Sequence, residues 1–120
     1  MVTKLTTRGI LPATLLTLAI GSTVSLAAAG QDEQVKKGQE VYAAQKCSMC
    51  HSIAGKGGKQ SPLDGVGAKL SADEIRQWIT NPTEMTAKMK STKKPPMPNK
   101  YSKLPAADLD ALVAYIQSLK

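Results

Sequence analysis

Cys47 and Cys50, three positions apart, are the only two cysteines in 120 residues, and the only histidine, His51, follows directly. Spacing that short excludes a disulfide framework, which needs cysteines distributed along the chain. One turn of helix across Cys47-Ser48-Met49-Cys50 sets both thiols on one side, and the next residue aims an imidazole over whatever the thiols hold. This is the attachment pattern of a c-type haem, with two thioethers to the vinyl groups and one imidazole to the iron. The rival readings are weaker. A redox dithiol normally sits beside a βαβ pattern that this chain lacks, and a zinc site needs a second ligand pair that the composition denies.

The N-terminus carries an independent signal. Residues 1–8 hold Lys4 and Arg8, residues 9–21 are largely apolar, and the stretch to Gly30 ends in small residues with Ala27 and Ala29 before a cut. That is the layout of a secretory signal over residues 1–29, leaving a domain over residues 30–120. The apolar run is about a dozen residues, short of the roughly twenty needed to span a bilayer, so stable membrane insertion after cleavage is not expected. An uncleaved anchor is the alternative. Export and haem attachment agree, because c-type haem is attached after translocation, and the expected location is periplasmic.

Length allows one domain. The only aromatic residues are Tyr42, Trp78, Tyr101 and Tyr115, with no Phe, so something other than large side chains must help fill the core. Residues 34–46 place Val35, Gly38, Val41 and Tyr42 at helical spacing. Residues 52–70, rich in Gly, predict loop. Ser71-Ala72-Asp73-Glu74 fits a capping box opening a helix with Ile75, Trp78 and Ile79 on one face, ending near Asn81-Pro82. Residues 83–103 predict mostly loop or extended chain around Pro95-Pro96-Met97-Pro98. Pro105 suits a first helical position, and Leu109, Leu112, Val113, Ile116 and Leu119 form the clearest helical stripe. No segment alternates as a strand does.

With His51 the sole histidine, a second imidazole cannot close the other face of the iron. The candidates for that position are Met49, Met85, Met89, Met97, a lysine, or an open site. Met49 lies between the attachment cysteines. Met85 and Met89 are spaced i, i+4 and read as a packing stripe if that stretch is helical. Met97 has a proline on each side, which restricts its backbone and lowers the ordering entropy that a weak thioether bond must overcome. The reading favours Met97. An incidental Met in a proline-rich surface loop is the alternative, and Lys93, Lys94 and Lys100 are competing donors once deprotonated.

These residues resemble a known family. Gly38-x-x-x-Tyr42, Cys47-Ser48-Met49-Cys50-His51, Ser61-Pro62-Leu63, Pro96-Met97-Pro98 and Leu112-Val113-Ala114-Tyr115-Ile116 are similar to the motifs of small bacterial class I cytochromes c, over nearly all of residues 30–120. The resemblance implies an all-α, small cytochrome c fold with three or four helices wrapped around one covalently bound haem c, joined by long loops. It implies a crossing of the first and last helices at Gly38, locked by Tyr42, Leu112 and Tyr115. It also implies that the Pro62 carbonyl accepts the second ring N–H of His51 and that Leu63 packs on the haem. Trp78 either bonds a haem propionate or fills the core, and core is favoured.

The function that follows is a one-electron carrier rather than an enzyme, with Cys47 and Cys50 as thioether attachments and His51 and Met97 as axial ligands. Methionine favours the ferrous form, so the potential is expected well above zero. An open-site enzyme or gas sensor has no distal histidine to support it, and a haem subunit of a larger oxidoreductase is the remaining alternative. The 16 basic residues against 9 acidic ones point to acidic redox proteins as partners, met in transient complexes by a monomer. Lys56, Lys59, Lys88, Lys93, Lys94 and Lys100 are expected to ring the exposed haem edge. Nucleic acid is excluded as a partner by the single arginine beyond the signal, the few stacking aromatics and export.

Overall fold

The computed structural model describes Gly9 and residues 26–120. The expected signal lies largely outside the described residues. Among those residues the chain forms five α-helices: α1 (Leu26–Ala44), α2 (Val66–Lys69), α3 (Ala72–Thr80), α4 (Pro82–Lys88) and α5 (Ala106–Ser118). Two 3-10 turns, Cys47–Met49 and Asn99–Lys103, and a small antiparallel hairpin of β1 (Ser52–Ile53) and β2 (Lys56–Gly57) complete it. The fold is all-α, as expected, with more helices than the three or four anticipated because α2 and α4 are short. Among the described residues no helix is long and apolar enough to cross a membrane.

The pairing of α1 with α5 is the most extensive in the molecule. Gly38 makes it possible. A Cβ added there would run into the Ala111 carbonyl and stand 2.5 Å from the Tyr115 Cβ, so only glycine lets the two backbones approach this closely. The Tyr42 and Tyr115 rings meet edge to face across the crossing, centroids 5.6 Å apart. Lys37 and Asp108 pair at 3.1 Å on its rim. Val41, Leu112, Val113 and Ile116 from these helices bury against Ile75 and Ile79 of α3 and against Tyr101, each aliphatic side chain contributing roughly 1.5–3 kcal/mol relative to exposure.

Helix ends follow local chemistry. The Ser71 hydroxyl accepts the Glu74 N–H at 3.2 Å and the Glu74 carboxylate accepts the Ser71 N–H at 2.8 Å, so the capping box is present in both directions. These bonds hold the Glu74 carboxyl below its ordinary pKa. α3 stops before Asn81-Pro82 as expected, yet Pro82 also occupies the first turn of α4. A proline that cannot continue one helix is well suited to start another, because it lacks an N–H that would have no partner there.

Four expectations need correction. Residues 52–70 are not loop throughout: Ala54 and Gly55, both at positive φ (51° and 75°), make a two-residue turn that closes the hairpin, and α2 follows. Residues 83–103 contain α4 and the second 3-10 turn rather than mostly extended chain. Pro105 caps α5 from outside, and the helix itself begins at Ala106. α1 also begins earlier than residue 34, running from Leu26 across Ala27, Ala29 and Gly30.

Candidate haem site

The elements enclose a cavity of about 410 Å³, within the roughly 300–1,000 Å³ range of sites that bury a small-molecule ligand. Its walls are largely apolar, with Leu63, Val66, Leu70, Ile79, Leu112 and Ile116 among the residues that line it. Cys47, Cys50, His51 and Met97 all border this one space. Pro62 and Leu63 do as well, and Leu63 is half-buried there, its N–H donating to the Ser52 carbonyl at 2.9 Å.

The attachment segment is shaped by α1 and the hairpin. α1 ends at Ala44, and Lys46 turns the chain through a left-handed conformation (φ 56°) into the 3-10 turn that carries Cys47. The hairpin then folds back on the motif. The Gly58 N–H donates to the Ser48 carbonyl at 2.8 Å, and a Cβ at Gly57 or Gly58 would collide with the His51 or Met49 carbonyl. Two glycines in a row therefore let the chain return tightly over the segment it has just left. Both thiols are unpaired. Burial pushes the Cys47 thiol up from its ordinary pKa, with the nearby Lys100 charge acting in the opposite direction.

His51 is oriented by its backbone and its ring. The Tyr42 hydroxyl donates to the His51 carbonyl at 3.3 Å. Nδ1 stands 2.8 Å from a carbonyl, and that carbonyl belongs to Ser61, not to Pro62 as the resemblance implied. A carbonyl only accepts, so Nδ1 carries the proton and Nε2 keeps its lone pair for a metal. Pro62 still has a part: the residue before a proline is confined to extended conformations, which restricts the direction in which the Ser61 carbonyl points.

The methionines are sorted clearly. Met85 is 2% exposed and packed in the core, Met49 is 71% exposed away from the cavity lining, and Met89 and Met97 both line the cavity. The expected packing stripe of Met85 and Met89 is therefore half right. Trp78 is half-buried on the cavity wall rather than in the core. Among the expected lysine ring only Lys93 borders the cavity; Lys88 lies in α4, Lys56 in β2, and the Lys100 ammonium sits 5.1 Å over the Tyr101 ring. Lys46 and Lys69 border it unannounced. Their signal was adjacency to Cys47 and a place next to Leu70, which charge counting alone does not reveal.

Unpaired thiols, an imidazole with a free Nε2, a thioether and apolar walls on one cavity fit a covalently held haem. The family model for cytochrome c matches residues 35–120. The chain belongs to the cytochrome c family. That membership carries with it covalent haem c and, in general, electron transfer rather than catalysis. No curated protein and no solved structure matches this cytochrome c in the same comparisons.

Proposed function

We propose that this cytochrome c is a monohaem electron carrier with Cys47 and Cys50 as thioether attachments and His51 and Met97 as axial ligands. The observation that carries the reading is the convergence of these four side chains on a single cavity. The bound haem supplies one-electron exchange between ferric and ferrous iron. The protein contributes orientation and exclusion. Ser61 holds the His51 ring through Nδ1, Tyr42 ties the His51 backbone to α1, and the apolar wall of Leu63, Val66 and Leu70 keeps water from the buried face. With His51 and Met97 both engaged, no coordination position is left for a substrate.

The location and partners belong to the same proposal. Residues 1–29 act as an export signal, the carrier works in the periplasm, and acidic redox proteins meet it through transient contacts. Lys46, Lys69 and Lys93 at the cavity border favour such partners by steering encounter.

The test has two parts. Intact mass of protein from a host competent in cytochrome maturation gives the polypeptide plus one haem, resistant to acid extraction. Met97→His then replaces the sulfur–iron band of the ferric spectrum with a bis-imidazole spectrum and lowers the potential, since nitrogen favours ferric iron more than sulfur does. Apoprotein mass alone overturns the attachment, and an unchanged band in Met97→His overturns the axial assignment.

A further inference from the structure

We propose that Met89 is a second thioether donor to the iron, held in reserve for the position that Met97 occupies. The inference rests on the Met97 assignment above. Two methionines one helical turn apart have been given opposite environments. Met85 is 2% exposed and fixed in the core, whereas Met89 is 51% exposed and borders the cavity. Met85 has the surroundings of a methionine that packs a core. Met89 has the surroundings of a side chain free to move against a site.

The backbone around Met89 is fixed while the chain beyond it is not helical. Met89 caps α4, and Lys90 follows in the left-handed region (φ 50°). The Lys90 N–H donates to the Ala87 carbonyl at 3.2 Å and the Ser91 N–H to the Thr86 carbonyl at 2.9 Å, the paired bonds of a Schellman ending. From there Ser91, Lys93, Pro95 and Pro96 lead along the cavity to Met97. Just beyond it, the Asn99 amide donates to the Thr83 hydroxyl at 2.9 Å and returns the strap to the start of α4. Two thioethers thus stand at the two ends of one strap, both against the same cavity.

The competing donors are distinguishable by chemistry. Lys93 borders the same cavity, but an ammonium must lose its proton before it can bind a metal, so it is handicapped at neutral pH. A thioether is neutral throughout, and three rotatable bonds let a methionine side chain adapt to an irregular site. When Met97 is removed or displaced, Met89 is the donor that needs no deprotonation.

The experiment uses the haem-loaded full chain as the wild type, Met97→Ala and Met89→Leu/Met97→Ala, at neutral pH and one unit below. Two readouts are taken: the sulfur–iron band of the ferric spectrum, and formation of Met89 sulfoxide under limiting peroxide, measured by peptide mass spectrometry. Met97→Ala is expected to retain a sulfur–iron band and to slow Met89 oxidation several-fold relative to the wild type, because a coordinated sulfur has given one of its two lone pairs to the metal and is a poorer, more sheltered nucleophile toward peroxide. The double variant is expected to lose the band. Where Met97→Ala does not fold, Met97→Gln keeps the side-chain length and serves in its place. Loss of the band in the single variant, with Met89 oxidised as fast as in the wild type, overturns the proposal and leaves Met89 as an apolar cover of the cavity. An unchanged band in Met97→His together with Met89 already protected from peroxide in the wild type is a different failure, because it removes the Met97 assignment itself.

Discussion

Lys90 holds a left-handed backbone conformation at the position where a helix ending of this kind normally has glycine. A side chain there crowds its own carbonyl, a cost of roughly 1–2 kcal/mol that glycine avoids, partly offset by glycine's greater freedom in the unfolded chain. Lys90→Gly is therefore expected to raise stability by up to about 1 kcal/mol, seen as a higher denaturant midpoint with an unchanged slope. Tyr42 gives a prediction in pH. Burial above all pushes its phenol from 10.0 up to about 12. The folded state therefore keeps a proton that the unfolded chain has released. Its contribution to stability is complete below about pH 10 and disappears as pH rises through about 12, so Tyr42→Phe should reduce the fall in stability over that window, measured by denaturation at stepped pH. At this scale the residues that meet on the cavity were largely legible. Cys47, Cys50 and His51 could be grouped in advance because they are neighbours in the chain. The Ser61 carbonyl could not, because the direction of a peptide plane is set by the hairpin and Pro62 together, and side-chain identity says nothing of it.

Among the elements, α2 is a single turn kept in place by the far end of the chain. The Gln117 amide donates to the Gly67 carbonyl at 2.6 Å and to the Leu70 carbonyl at 3.2 Å, while the Lys120 ammonium donates to Gly67 at 2.8 Å. The Gly67 N–H in turn donates to the Leu119 carbonyl at 2.8 Å. Gln117→Leu strips the Leu70 carbonyl of its side-chain donor and leaves the Gly67 carbonyl to Lys120 alone, and is expected to cost roughly 1–3 kcal/mol. Because Val66 and Leu70 line the cavity, hydrogen exchange of residues 66–70 should quicken more than that of α1. The capping box of α3 and the stripe of α5 could be read in advance, since each is a local pattern repeated over a turn or more. α2 and the hairpin could not: four residues and two-residue strands are too short to show a period, and Ala54-Gly55 lacks the asparagine or aspartate that usually marks such a turn. α4 was hidden for another reason. Pro82 was read as the end of a helix, when Asn81-Pro82 ends one and starts the next.

For the whole molecule, the cavity occupies the place where a larger protein would have more core. With four aromatic residues and no Phe, the side chains alone bury little surface against the entropy of ordering the chain. Cys47→Ala/Cys50→Ala, which cannot retain haem covalently, is expected to lose most of its helical circular dichroism, and native-like ellipticity in the haem-free variant would show that the polypeptide closes its own core. The crossing at Gly38 also dictates an order of events. The most extensive contact among the described residues joins α1 to α5, so a chain that emerges N-terminus first cannot make it until its last helix has arrived. Cys47 and Cys50 follow directly on α1 and are complete long before that moment. A haem joined to them before α5 has docked would enter an open site, and the final helix would then shut the door behind it.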